Sequence, residues 1–198
     1  MTNPARPHSG HIAGDAIEAT EAAAAKDVHK TVLLLMGVSG SGKSTIAREL
    51  QRLLGWEFME GDDLHPPSNV EKMRAGHPLN DEDRWPWLQR VAQWIDRKLA
   101  AGEPGIITCS NLKRTYRRIT LGTGKGVTLV YLRAEKTLIG TRVAQRQHQY
   151  MPASLLESQF EALEEPTEDE HPVVVPIHGS IAETTVELLR KVAATQAP

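Results

Sequence analysis

Four features are scarce or missing in this chain, and each absence narrows what it can be. It has a single cysteine, Cys109, so it can form no intrachain disulfide and no cysteine cluster for zinc. It has no surplus of one charge: the formal net charge is −2, so nothing draws it generally to nucleic acid or to an anionic membrane surface. Its longest strongly apolar run, Val32–Met36, is far too short to cross a bilayer. Residues 1–29 have neither the basic start nor the apolar centre of a secretory signal, and Asp15, Glu18, Glu21 and Asp27 argue against a transit peptide. A cytoplasmic protein is expected, with no nucleic-acid or membrane partner. With no apolar periodicity in Met1–Gly14, residues 1–29 read as a mobile tail in which Ala22–Ala25 form at most a transient helix. Residues 30–198 then form one domain, large enough for a substantial core.

The strongest pattern is Gly37-Val38-Ser39-Gly40-Ser41-Gly42-Lys43-Ser44, which fits G-x-x-x-x-G-K-[ST] at every fixed position and continues into Thr45. An apolar run leads in and a helical pattern leads out, so the loop joins a strand to a helix. Glycines let successive N–H groups point at one anion, and the helix N-terminus adds partial positive charge. Lys43 can reach the β- and γ-phosphates of a nucleoside triphosphate, and the Ser44 hydroxyl can ligate Mg²⁺. A nucleoside triphosphate and Mg²⁺ are the ligands the loop leads one to expect.

Beyond the loop, strands and helices alternate. Strands are read at Thr31–Met36, Glu57–Glu60, Ile106–Cys109, Val127–Leu132 and Val173–Val175. Helices are read at Lys43–Leu54, Pro67–Ala75, Glu82–Ala101, Lys136–Gln147, Leu155–Leu163 and Ile181–Val192. This order predicts an α/β fold with a parallel sheet covered on both faces and a ligand at the carboxyl ends of the strands. After the second strand comes Glu60-Gly61-Asp62-Asp63-Leu64-His65, which places acids where the phosphate loop also opens. Phosphoryl transfer needs a carboxylate near the attacking hydroxyl and another group beside Mg²⁺, and this segment can supply both. The role of His65 stays open between chemistry and local packing. Trp85, Trp87 and Trp94 read as core or hinge packing, and Cys109 as structural.

The phosphate loop GVSGSGKST, the block EGDDLHPPSNVEKMRAGHPLNDEDRWPWL, the segment CSNLKRTYR and the stretch MPASLLESQFEALEEP together resemble the small P-loop gluconate kinases. The resemblance spans Val32 to Val192 and implies a nucleoside-monophosphate-kinase type fold: a five-stranded parallel sheet flanked by helices, with a mobile lid. It implies ATP-dependent phosphorylation of D-gluconate to 6-phospho-D-gluconate. Asp62 is then the group that orients or deprotonates the hydroxyl, and Glu60 holds the Mg²⁺ shell with Ser44. His65, Asn69 and Lys72 line the substrate cleft. Arg84 and Lys113 read the carboxylate or polyol, with Arg117 a further candidate of that kind. Arg142 and Arg146, one helical turn apart before Met151-Pro152, fall on the lid and close onto the phosphates. The chain departs from the family at Asn111, at His148-Gln149 and at Pro176. A shikimate-type kinase, a slow nucleotide switch and an inactive binding module are the rival readings. Association as a homodimer is left open.

Overall fold

The computed structural model describes residues 9–137, 139 and 153–196. The five strands are β1 (Val32–Met36), β2 (Glu57–Met59), β3 (Gly105–Thr108), β4 (Val127–Arg133) and β5 (Val173–Pro176). They form one parallel sheet in the order β2-β3-β1-β4-β5. The most apolar strand, β1, is central and buried at every position. Its alternation sends Leu33 and Leu35 into one core, and Val32, Leu34 and Met36 into the other.

The helices are α1 (Ser9–Lys26), α2 (Lys43–Leu54), α3 (Pro67–Arg74), α4 (Asp81–Ala101), α5 (Arg114–Leu121), α6 (Ala153–Ala162) and α7 (Ile181–Thr195). On one face, Ile46 and Leu50 of α2 and Leu188, Leu189 and Val192 of α7 pack with Leu33, Leu35, Val130 and Val175. On the other, Trp87, Leu88, Val91, Trp94 and Ile95 of α4 and Tyr116 of α5 pack on Leu34, Ile107 and Leu129. The helix boundaries follow local chemistry. A capping box between Asn80 and Asp83 starts α4, and Gly102 at φ 65° ends it. A second box, between Ser180 and Glu183, starts α7.

Two features differ from the sequence reading. Residues 9–26 form α1 where a mobile tail is expected. This helix packs on α7 and α2, with Ala24 in the core and Ala25 and Val28 against it. Glu21 is 3% exposed, and its carboxylate accepts from Arg52 of α2 at 3.2 Å. The buried residues described in α1 are Glu21 and Ala24, while Ile17 stays exposed, so no stripe of large apolar residues marks the segment as a docking helix. Helix α5 lies in a stretch for which the sequence reading assigns no element; its buried residues, Tyr116, Arg117 and Thr120, are mostly polar. The expected helix Lys136–Gln147 falls largely outside the described residues.

Candidate active site

Because all strands run parallel with β1 and β3 adjacent, the segments after β1, β2 and β3 converge at one end of the sheet. They enclose a cleft of about 140 Å³. Its walls carry Ser39 and Lys43 from the phosphate loop, Asp62 and His65 after β2, Arg84 and Trp87 of α4, Ser110 after β3, and Ser158 and Gln159 of α6.

The phosphate loop turns through left-handed glycines, with Gly37 at φ 142°, Gly40 at 81° and Gly42 at 90°. A Cβ on Gly37 would also lie 2.8 Å from the Leu132 carbonyl oxygen, so shape and space both demand glycine there. Lys43 Nζ donates to the carbonyls of Gly37 at 2.9 Å and Val38 at 3.1 Å. Burial lowers its ammonium, and the Asp62 charge opposes that most. The Ser39 N–H donates to Gln159 Oε1 at 2.7 Å, tying the loop to α6.

The turn after β2 is pinned on both sides. The Gly61 N–H donates to Thr108 Oγ1 at 3.1 Å, and the Gly61 carbonyl accepts from the Trp87 indole at 2.7 Å. The Thr108 hydroxyl in turn donates to the Glu60 carboxylate. These bonds aim Asp62 at the phosphate loop. Desolvation by the cleft walls pushes the Asp62 carboxyl up; Lys43 and Arg84 oppose this, while Glu60 and Asp63 add to it. Asp62 is nonetheless exposed at the mouth, so the push comes from a crowded cleft, not a dry core.

His65 stacks on Trp87 with centroids 4.1 Å apart and planes at 16°. Burial, and then the charge of Arg84, lower the imidazole to about 4. The guanidinium of Arg84 lies 5.7 Å from the Tyr116 ring centroid. Asn69, Lys72 and Lys113 stand behind the cleft wall. Asn69 is 3% exposed and bonds to His65 and to the Asp83 carbonyl. Lys72 pairs with Asp83. Lys113 pairs with Asp81 at 2.8 Å, and Asp81 also accepts from Tyr116.

Arg117 is no substrate reader. It is 1% exposed, held by both oxygens of Glu170 at 2.7 and 2.8 Å and by the carbonyls of Asn111, Leu112 and Glu164. Its donors are committed inside the protein, where it straps the 164–170 segment to α5. Arg142 and Arg146 lie outside the described residues. Cys109 is buried with its thiol pushed up to about 12 by desolvation, which leaves it inert.

A second hollow of about 330 Å³ adjoins the loop, with Gly40, Thr45 and Ile46 on one side and Ile177, Gly179, Ser180 and Ile181 on the other. The 177–181 side was not read from sequence, since its backbone and small residues carry no motif. Gln159 was missed as well, although it lies in a stretch that carries the family resemblance.

A parallel sheet with a phosphate loop on its central strand, facing a carboxylate-bearing turn across a cleft, defines a P-loop kinase. A family model described as an AAA domain matches residues 32–167. The gluconokinase of Gluconobacter oxydans (strain 621H) is 46% identical over 142 residues, which is 72% of this chain and 79% of that protein. The thermosensitive gluconokinase of Escherichia coli (strain K12) is 43% identical over 162 residues, 81% of this chain and 87% of that one. The crystal structure of a gluconokinase from Sinorhizobium meliloti 1021 superposes with a TM-score of 0.76 at 38% identity, covering 83% of this chain and 93% of that one. The chain belongs to the gluconokinase family. Among the described residues, no helix is long and apolar enough to cross a membrane.

Proposed function

We propose that this protein transfers the γ-phosphoryl group of ATP to the 6-hydroxyl of D-gluconate, giving 6-phospho-D-gluconate and ADP. The observation that carries the reading is the convergence of Lys43, Asp62, His65 and Arg84 on one cleft in a chain of this family. Residues 30–198 carry the activity, with α1 as a brace. An ATP-consuming enzyme with one buried, unreactive thiol suits the cytoplasm.

The residues present fit the nucleotide and its metal. Ser41 Oγ is buried in the phosphate loop with no hydrogen-bond partner among the described residues, and three loop glycines hold the positive φ that such a curled, anion-binding loop needs. The hollow beside Ile46 and Ile177 suits a purine base. Ser44 and Glu60 would hold Mg²⁺. Among the described residues no three His, Cys, Asp or Glu are placed to hold a metal ion by themselves, so phosphate oxygens and water would complete the shell. Held there, Mg²⁺ would offset the negative charge on the phosphate oxygens.

As the gluconate hydroxyl oxygen bonds to phosphorus and the bond to ADP breaks, the Asp62 carboxylate takes the hydroxyl proton. Lys43 and the loop amides stabilise charge on the phosphoryl oxygens. Arg84, whose planar fork matches a carboxylate, reads the acid end. The resemblance assigns Arg142 and Arg146, which lie outside the described residues, to charge stabilisation on the phosphates.

The test is turnover on a panel of sugar acids and polyols. Gluconate should exceed sorbitol by roughly ten- to a hundred-fold in kcat/KM for each charged contact left unpaired by the polyol. Arg84→Ala should erode that ratio while largely sparing ATP affinity. Equal wild-type activity on the two substrates would defeat the assignment.

A further inference from the structure

We propose that Asn69 fixes His65 as a neutral imidazole protonated on Nε2, so that His65 meets the substrate polyol as a hydrogen-bond donor and never as the base. The proposal rests on the gluconokinase reading of the cleft only for the identity of the polyol; the protonation state follows from the geometry alone.

The argument begins at the Asp83 carbonyl. A backbone carbonyl only accepts, and Asn69 Nδ2 lies 2.7 Å from it. The amide must therefore present its NH₂ to that side, which settles its orientation. The same NH₂ group has a second hydrogen, and His65 Nδ1 lies 3.3 Å from the nitrogen. That bond forms only if Nδ1 keeps its lone pair. An Nδ1–H tautomer or an imidazolium would set N–H against N–H. A neutral ring without a proton on Nδ1 carries it on Nε2.

The ring cannot escape this by turning over. A flip would exchange Nδ1 for a carbon and leave the buried Asn69 hydrogen without its acceptor. The stack on Trp87 fixes the ring plane, and the indole is itself anchored to the Gly61 carbonyl. Asn69 is held in α3, which begins at Pro67, and Asp83 in the first turn of α4. Asp83 and Lys72 pair with each other. Asp62, Lys43, His77 and Arg84 line the same cleft as His65, and the Arg84 charge favours the neutral ring.

Because His65 lines the cleft while Nδ1 is engaged by Asn69, Nε2–H is the polar group left for a ligand. It offers a proton and no lone pair. A sugar hydroxyl oxygen can accept from it, but the hydroxyl proton released on phosphoryl transfer has no site there and goes to Asp62. Asn69 is thus a positioning residue, and His65 a binding residue with a defined polarity.

The direct test is long-range ¹H–¹⁵N NMR on the full chain labelled at histidine nitrogens, with His65 assigned by its absence in His65→Gln. The expected pattern is the neutral Nε2–H form from pH 5.5 to 8. An Nδ1–H pattern, or an imidazolium appearing with a midpoint above pH 6, overturns the proposal. This readout needs no turnover, so it stands or falls apart from the substrate assignment. The kinetic arm uses the best sugar acid from the panel. His65→Leu should raise its KM about ten- to a hundred-fold, while His65→Gln, whose amide still donates, should lose less than tenfold in kcat/KM. A loss of about 10²-fold or more in kcat for His65→Gln is the signature of a missing base and would also overturn the proposal.

Discussion

A methyl group on Gly61 would sit 1.8 Å from the Thr108 carbonyl oxygen, well inside van der Waals contact. Both are backbone positions, so neither can move aside by changing a rotamer. Gly61→Ala should therefore displace the turn that carries Glu60 and Asp62, costing about 1–3 kcal/mol or more of stability and most of the activity. Denaturant unfolding and turnover on the same preparation check this. Lys43→Ala should act differently. Lys43 caps two loop carbonyls and packs in no hydrophobic core, so the fold should survive while kcat falls about 10²–10³-fold or more; near-normal turnover at saturating MgATP would remove Lys43 from the mechanism. The difference between these residues also explains what was legible in the sequence. Lys43 belongs to a contiguous pattern whose chemistry is local. The constraint on Gly61 comes from a strand 47 residues away along the chain, and no local pattern announces it. Arg117 escapes the sequence for the same reason: an arginine between Tyr116 and Arg118 says nothing of the distant Glu170 carboxylate that meets it.

At the scale of elements and among the described residues, the strands and the helices α2, α4 and α7 lie close to their expected bounds, because hydrophobic periodicity and glycine stops are strong over such lengths. Helix α2 coincides with its expected bounds, Lys43–Leu54, and β4 exceeds its own by Arg133. The exceptions are α1 and α5, whose buried residues include Glu21 and Ala24 in the one and Tyr116, Arg117 and Thr120 in the other. For α1 this has a measurable consequence. Deleting residues 1–26 removes Ala24 from the core and leaves Arg52 without Glu21. The expected loss is about 1–3 kcal/mol, or roughly 3–10 °C in melting temperature, with kcat per folded molecule little changed, since α1 lies away from the cleft. An unchanged melting temperature would show that α1 adds nothing to the fold.

For the whole molecule, the sheet order determines which loops meet, and the chain's response to acid follows from what they gather. The His65 imidazole stands at about 4 in the folded protein against about 6.5 when free, so the unfolded chain binds the extra proton between those values. The stability this contributes is present above about pH 6.5 and is lost as pH falls toward 4. Asp81 and Glu170, held low by hydrogen bonds from Lys113 and Arg117, add losses at lower pH. Calorimetry at pH 7 and pH 5 should show a drop in melting temperature that is smaller in His65→Gln; an equal drop in both would assign the acid sensitivity elsewhere. Trp87 joins these scales. Its indole is buried in the α4 core, hydrogen-bonded to the turn that bears Asp62 and covered by the ring of His65. Any molecule that engages His65 or shifts that turn alters the electronic surroundings of the indole. The protein therefore carries its own fluorophore at the floor of its cleft, and its ultraviolet emission can follow cleft filling in real time without an attached dye.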